Sequence, residues 1–237
     1  MMKTIAIIPA RGGSKGIHRK NLVDVCGKPL IAWSILHANF AVEVDEVWVS
    51  SDDDEILEIA AQYGANLIKR PVEISGDEAT TESALLHAID FIDGLGTTIE
   101  RVVLMQATSP LRAPSDLDCA LRLIANKDYD SLMSVTEVED FFAWGIDESG
   151  FPRSLNYDYR QRRRRQELDK TFLENGSFYI FSPDLLRNMG NRLGGRIGMY
   201  VMEFYKSFQI DNPEDIFFCS SIMSAYNLDK IAYENDL

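Results

Sequence analysis

The chain has 237 residues, 46% of them hydrophobic, and a formal net charge of −13 at neutral pH. That composition supports a full core and excludes a globally disordered chain. The acidic balance argues against nucleic acid as a partner, because phosphate backbones select basic surface.

Strand-like and helix-like patterns then alternate. Residues 4–10, TIAIIPA, read as a buried first strand. Residues 30–42 are apolar at helical spacing, 45–51 form a second strand, and 53–64 a helix that stops at Gly64. A short strand at 65–70 precedes a long amphipathic helix at 78–94. Next come a strongly apolar strand at 101–107, a helix at 114–127 and a strand at 131–135. Residues 136–173 are polar, aromatic and arginine-rich without a clear period, which marks an insertion or subunit-contact arm. Phe141, Phe142 and Trp144 are its candidate apolar anchors. Regular signals resume with a strand at 175–182, a helix at 183–189, a glycine-rich turn at 194–198, a strand at 199–204 and a helix from Pro213. The alternation predicts one α/β domain over residues 1–237, a doubly wound, mostly parallel sheet with helices on both faces.

No apolar run reaches the ~20 residues that span a bilayer. The opening segment lacks the long apolar stretch of a signal peptide. Cys26, Cys119 and Cys219 are widely spaced and form no CxxC pair. Reduced thiols and a cytoplasmic location are therefore expected. His37 and His87 sit in helical apolar stretches and read as packing residues; His18 lies in a basic loop.

The chemistry concentrates after the first strand. Before Asp24 there is no acidic residue, yet Lys3, Arg11, Lys15, Arg19 and Lys20 are present. The segment Arg11–Gly16 reads RGGSKG. Gly12, Gly13 and Gly16 let the backbone approach a ligand and aim its N–H groups at it. Arg11, Lys15 and Lys20 can neutralise phosphate charge. Neither a Walker A loop nor a GxGxxG dinucleotide fingerprint fits the spacing. The bland alternative is a solvated glycine turn.

The segments PARGGSKGIHRKN and GKPLIAWSI, then VSSDDDEI, KRPVEISGDEATTESALLHAI, LMQATSPLR, ENGSFYIF and SFQIDNPED, cover most of the chain and are weakest across 136–173. Together they resemble the sugar-nucleotide cytidylyltransferases, among them the CMP-sialic acid synthetases and relatives acting on legionaminic acid. The resemblance implies a Rossmann-like, nucleotide-diphospho-sugar transferase fold with a small dimerisation insertion, and a homodimer. It also implies the transfer of CMP from CTP to the anomeric hydroxyl of an acidic nine-carbon sugar of the N-acylneuraminate type, with Mg²⁺ and release of pyrophosphate.

The same resemblance implies residue roles. Arg11, Lys20 and Asn21 hold the triphosphate and nucleotide, with Gly12, Gly13, Ser14 and Lys15 lining the cradle and Arg70 as a further phosphate contact. Ala79 and Thr81 belong to the loop that reads cytosine, whose strict hydrogen bonds reject the wrong base. Gln106, at a strand's carboxyl edge, contacts the sugar, joined by Arg165, Asn175 and Tyr179. Arg165 ends the run RQRRRR (160–165), most of which reads as a solvated or subunit-contact face.

Asp211 is the candidate metal ligand: with Pro213 as first helical residue and Asn212 as cap, its side chain is free of capping. Many sialic acid synthetases carry Asp-Ile-Asp here, whereas this chain has Gln209-Ile210-Asp211. Period-2 spacing puts Gln209 on the Asp211 side as a weaker, uncharged ligand. Leu173 and Glu174 stand where the family often has a basic residue. Alternatives are the same reaction on legionaminate, pseudaminate or Kdo, a glycosyltransferase, or a nucleotide-binding regulatory protein without turnover. Ser51–Asp54 superficially offers the glycosyltransferase's DxD motif but reads as a capped acidic helix turn.

Overall fold

The computed structural model describes residues 2–14, 16–139, 141–162, 164, 167 and 169–231. In chain order the strands are β1 (Lys3–Pro9), β2 (Asp24–Val25), β3 (Lys28–Pro29), β4 (Glu46–Ser51), β5 (Asn66–Lys69), β6 (Ile99–Met105), β7 (Ser131–Val138), β8 (Trp144–Ile146), β9 (Pro152–Ser154), β10 (Thr171–Phe181) and β11 (Ile197–Met202). The helices are α1 (Leu30–Asn39), α2 (Asp54–Gln62), α3 (Thr81–Gly94), α4 (Pro114–Lys127), α5 (Pro183–Met189) and α6 (Pro213–Ala225).

Seven strands form one sheet in the order β11-β7-β10-β6-β1-β4-β5. Only β10 runs antiparallel to its neighbours, β6 and β7. The period-2 alternation of each strand divides the core between two faces. Ala6, Ile8, Val103 and Met105 pack under α1, α2 and α4. Ile5, Ile7, Val102, Leu104, Tyr179 and Phe181 pack under α3 and α5. A third cluster joins the far side of α1, through Leu30, Trp33 and Leu36, to Cys219 and Met223 of α6. Helix α1 is therefore buried on every side, from Leu30 to Ala38.

Several boundaries differ from the sequence reading. The 30–42 helix stops at Asn39, where Phe40 is exposed. The 78–94 helix starts at Thr81, because the Thr80 hydroxyl accepts from Ser83 N at 3.1 Å and caps it. Strand β6 ends at Met105, so Gln106 opens the following loop.

The irregular 136–173 stretch is smaller than expected. Strands β7 and β10 extend into it as an antiparallel ribbon, pairing Val138 with Thr171 and Thr136 with Leu173. Much of this ribbon is partly or fully exposed, so no buried face imprints a hydrophobic period. Beyond it lies the small β8–β9 hairpin.

The chain moves outward from β1 to β4 and β5, then returns to place β6 on the other side of β1. That reversal opens a crevice at the carboxyl ends of β1 and β6, the usual ligand position in such sheets.

Candidate active site

The loop after β1 crosses this crevice. Ala10 N donates to Ser50 O at 2.9 Å, continuing the β1–β4 pairing, and the chain then turns away. Gly12 N donates to Asp52 Oδ1 at 3.0 Å. A Cβ on Gly12 would lie 2.7 Å from Asp53 Oδ2, which explains a glycine there. Asn21 Nδ2 donates to the Arg11 carbonyl at 3.0 Å and closes the loop on itself. Arg11 reaches forward, donating to Asp77 Oδ1 at 2.8 Å and to Gly76 O at 3.5 Å.

The second wall comes from the carboxyl end of the chain. Ile210 N donates to Thr108 O at 2.8 Å, bringing residues 209–211 against the loop after β6. Asp215 accepts from Asp211 N at 2.9 Å and from Asn212 N at 2.7 Å at the start of α6. The Asp211 carboxylate is left out of the cap and accepts from Lys20 Nζ at 2.8 Å.

A pocket of about 280 Å³ results, lined by Arg11, Gly13, Ser14, Gly16, Lys20, Asn21 and Asp211. Each of these was singled out on sequence grounds, Gly16 as a glycine that lets the backbone approach a ligand. Lys15 and Arg165 lie outside the described residues.

Arg70 lies beside this pocket and is 6% exposed. Its Nη2 is 3.9 Å from Asp52 Oδ1. Among the described residues, Nε and Nη2 find no hydrogen-bond acceptor. Burial lowers its pKa, Asp52 opposes that shift, and Arg11 adds to it. Buried donors that find no acceptor within the protein point to an acceptor supplied by a ligand.

Ala79 N donates to Gly76 O at 3.2 Å, so the 76–80 turn is tied both to itself and to Arg11. Thr81 is the exposed first residue of α3, and Thr80, not Thr81, spends its hydroxyl on the cap. Gln106 N donates to Ser177 O at 3.2 Å.

Three assignments change. Asn175 is 3% exposed, and its side chain serves the interior. Its Oδ1 accepts from Ser134 Oγ at 2.6 Å and from Ser177 N at 3.1 Å, and its Nδ2 lies 3.3 Å from Met202 Sδ. The side chain pins a bulge in β10 between Glu174 and Tyr179 rather than facing a sugar.

Tyr179 is 2% exposed, and its hydroxyl donates to Glu174. The Arg192 guanidinium covers its ring at 4.4 Å. Burial, then the Glu174 contact, push its pKa up to about 12.

Gln209 Nε2 donates to the Asn175 carbonyl, and its Oε1 accepts from Thr108 Oγ1 at 3.5 Å. An amide committed to those partners braces the bulge; it does not line the pocket with Asp211.

Sequence reasoning gave two contributors no binding role. Asp53 caps α2 as expected, accepting from Glu55 N at 2.9 Å and Ile56 N at 3.1 Å. Asp52, one residue earlier, holds the loop after β1 through Gly12. Its position just past the end of β4 was the available signal. Arg112, expected on sequence grounds only to help shape the loop after Gln106, is fully buried.

The cytidylyltransferase family pattern matches residues 5–234, nearly the whole chain. The chain belongs to the cytidylyltransferase family. It is 37% identical over 214 residues to N-acylneuraminate cytidylyltransferase B of Danio rerio, covering 89% of this chain and 48% of that protein. It is 36% identical over 185 residues to a pseudaminic acid cytidylyltransferase of Campylobacter jejuni, covering 76% of this chain and 78% of that one. The chain thus spans about half the length of the N-acylneuraminate relative.

Among solved structures, a CMP:2-keto-3-deoxy-manno-octonic acid synthetase complexed with CTP superposes with a TM-score of 0.70 at 17% identity, covering 94% of this chain and 99% of that chain. A 4-diphosphocytidyl-2C-methyl-D-erythritol synthase gives 0.69 at 13%, covering 94% and 100%. These likenesses concern the fold, that of the nucleotide-diphospho-sugar transferases. For this cytidylyltransferase family member, Arg11 and Lys20 are cations that line the pocket together with the glycine backbone.

Proposed function

We propose that the protein transfers CMP from CTP to the anomeric hydroxyl of a nonulosonic acid of the N-acylneuraminate type, releasing pyrophosphate. The observation that carries this reading is the pocket after β1, where Arg11, Lys20 and Asn21 meet the glycine backbone beside the unsatisfied guanidinium of Arg70. In this reading Arg11 and Lys20 hold the triphosphate, with Gly12, Gly13, Ser14 and Lys15 supplying backbone and side-chain contacts. Arg70 adds a charge-assisted bond, and the turn bearing Ala79 and Thr81 borders the base. Gln106, with Arg165, takes the acidic sugar.

In the transfer, the sugar's anomeric oxygen forms a bond to the α-phosphorus. The bond from that phosphorus to the bridging oxygen breaks, and pyrophosphate leaves with the electron pair. The hydroxyl proton passes to solvent. The protein acts by positioning and charge neutralisation through the cations and backbone that line the pocket.

Asp211 suits a hard cation that keeps phosphate and water oxygens as its other ligands. Its side chain is 61% exposed, and Lys20 is the one ion-pair partner among the described residues. No group of three His, Cys, Asp or Glu side chains gathers for a metal among those residues. When bound, Mg²⁺ supplies neutralisation of charge on the triphosphate.

The pseudaminate alternative has one observation in its favour: the Campylobacter jejuni relative is matched over 78% of its length, against 48% for the Danio rerio enzyme. We further assign a homodimer, built through the exposed Phe141, Trp144, Ile146 and Phe151 of the arm. A cytoplasmic location fits the free thiols of Cys26, Cys119 and Cys219. No helix among the described residues is long and apolar enough to cross a membrane, and no membrane or nucleic-acid partner is assigned.

The test supplies purified protein with CTP, Mg²⁺ and a panel of N-acylneuraminic, legionaminic, pseudaminic and eight-carbon acids, following CMP-sugar by mass. Formation with an N-acylneuraminic acid is expected. Turnover of none of the nine-carbon acids overturns the reading.

A further inference from the structure

Arg112 lies in the loop between β6 and α4, and its side chain is fully buried. Its Nε donates to Ser177 Oγ at 2.9 Å, and Nη1 donates to Ser34 Oγ at 3.0 Å. Its Nη2 donates to the Gln106 carbonyl at 2.6 Å and to the Ser177 carbonyl at 2.9 Å. All four acceptors are neutral. Asp116, the acidic group that acts on it electrostatically, is itself occupied by Lys206 Nζ at 2.9 Å from each carboxylate oxygen. Burial lowers the Arg112 pKa to about 9, still above neutral, so the group remains a cation.

A buried cation without a bonded carboxylate stabilises a fold less than a well-packed apolar side chain would. Stability alone therefore does not account for Arg112, and the destination of its bonds does. The Gln106 N–H donates to Ser177 O, and the Gln106 carbonyl accepts from Arg112 and from Ser34 Oγ at 3.3 Å. The same Ser177 carbonyl accepts from Arg112. The guanidinium thus clamps the Gln106 peptide and the β10 bulge in one plane of donors, a geometry an ammonium cannot reproduce.

The bulge residue Gly176 has φ +66°, and a Cβ there would lie 3.4 Å from Gln106 Oε1 and 2.7 Å from Gln209 Nε2. The Gln106 amide therefore rests on a backbone segment whose position Arg112 sets.

We infer that Arg112 is a positioning residue of the acidic-sugar subsite: without touching substrate, it acts through Gln106 and the β10 bulge. The CTP half of the crevice, built by Arg11, Lys20 and Arg70, does not depend on it. This inference rests on the proposed transfer to an acidic sugar.

The test compares wild type, Arg112→Lys, Gln106→Ala and the double variant. Readouts are KM and kcat for the preferred acid, CTP affinity by calorimetry, and Tm. Arg112→Lys keeps the charge and loses the fork. It is expected to raise KM for the acid by about tenfold to a hundredfold, the effect of removing charge-assisted hydrogen bonds, and to leave CTP affinity within about twofold. The double variant is expected to be no worse than Gln106→Ala alone, because the two changes act on one contact.

Equal loss of CTP affinity, additive effects in the double variant, or an unchanged KM would each overturn the inference. If Arg112→Lys fails to fold, Ser34→Ala, which removes one of the four bonds, carries the same comparison. A wild-type protein that binds CTP but turns over no acidic sugar overturns the function reading itself, and is distinguished from the other failures by its wild-type origin.

Discussion

Lys20 donates to Asp211 at 2.8 Å, although 191 residues separate the two in sequence. The pair joins the loop after β1 to the segment before α6 across the pocket. It is an exposed pair on the Asp211 side, so its direct contribution to stability is about 1 kcal/mol or less. A triphosphate would take over the ammonium. Lys20→Met is accordingly expected to weaken CTP binding by about tenfold or more, the loss of a charge-assisted bond, with little change in Tm. Asp211→Asn should leave Tm similarly intact and flatten the dependence of turnover on Mg²⁺ concentration. Calorimetry with CTP and a Mg²⁺ titration of the initial rate check the two halves; a large fall in Tm for either variant contradicts this account.

Most of the sheet was legible because its strands alternate two buried faces, as in Ile5 and Ile7 against Ala6 and Ile8. The pocket-lining loop after β1 was legible because glycine and cations cluster locally there. Asn175, Tyr179 and Gln209 were misplaced for one common reason. Their neighbours Ser134, Met202, Arg192 and Thr108 come from other strands and loops, and only the folded chain brings them together. The extent of the arm was misjudged because a ribbon lacking a continuous buried face carries no period to read.

The three glycines of the first loop are not equivalent. A Cβ on Gly16 would overlap the Asp211 carbonyl, a backbone atom that cannot swing aside, whereas nothing among the described residues lies within 4 Å of one on Gly13. Gly16→Ala is expected to lower stability by roughly 1–3 kcal/mol, the usual range for overpacking, and to impair turnover by displacing Asp211. Gly13→Ala should retain Tm. Thermal melts of the two variants side by side decide the matter, and equal Tm values would refute the packing argument.

Arg70 should display a conflict between stability and binding. Two of its guanidinium nitrogens are buried without acceptors among the described residues, a situation that costs about 1–3 kcal/mol per unsatisfied group. Arg70→Met fills similar space without that penalty. The variant is expected to melt at or above the wild-type temperature while binding CTP more weakly by about tenfold or more. A variant that loses Tm and retains CTP affinity would show Arg70 to be a structural cation.

His37 gives the fold an acid-side weakness. It is fully buried in α1, neither ring nitrogen has a hydrogen-bond partner among the described residues, and the Trp33 ring lies 6.4 Å away. Burial holds its pKa well below the ordinary 6.5, and the nearby cations Arg112 and Lys206 push it the same way. The folded protein therefore keeps His37 neutral while the unfolded chain takes up a proton as pH falls through about 6.5. More protons on the unfolded state mean that the stabilisation present above that pH is lost below it, by about 1.4 kcal/mol per pH unit. His37→Leu removes the titrating group and leaves the carboxylates in place. Urea unfolding at pH 7.5 and 5.5 should show the wild type losing about 1.4 kcal/mol more than the variant across that interval. Equal losses in the two proteins would mean that protonation elsewhere governs the acid response.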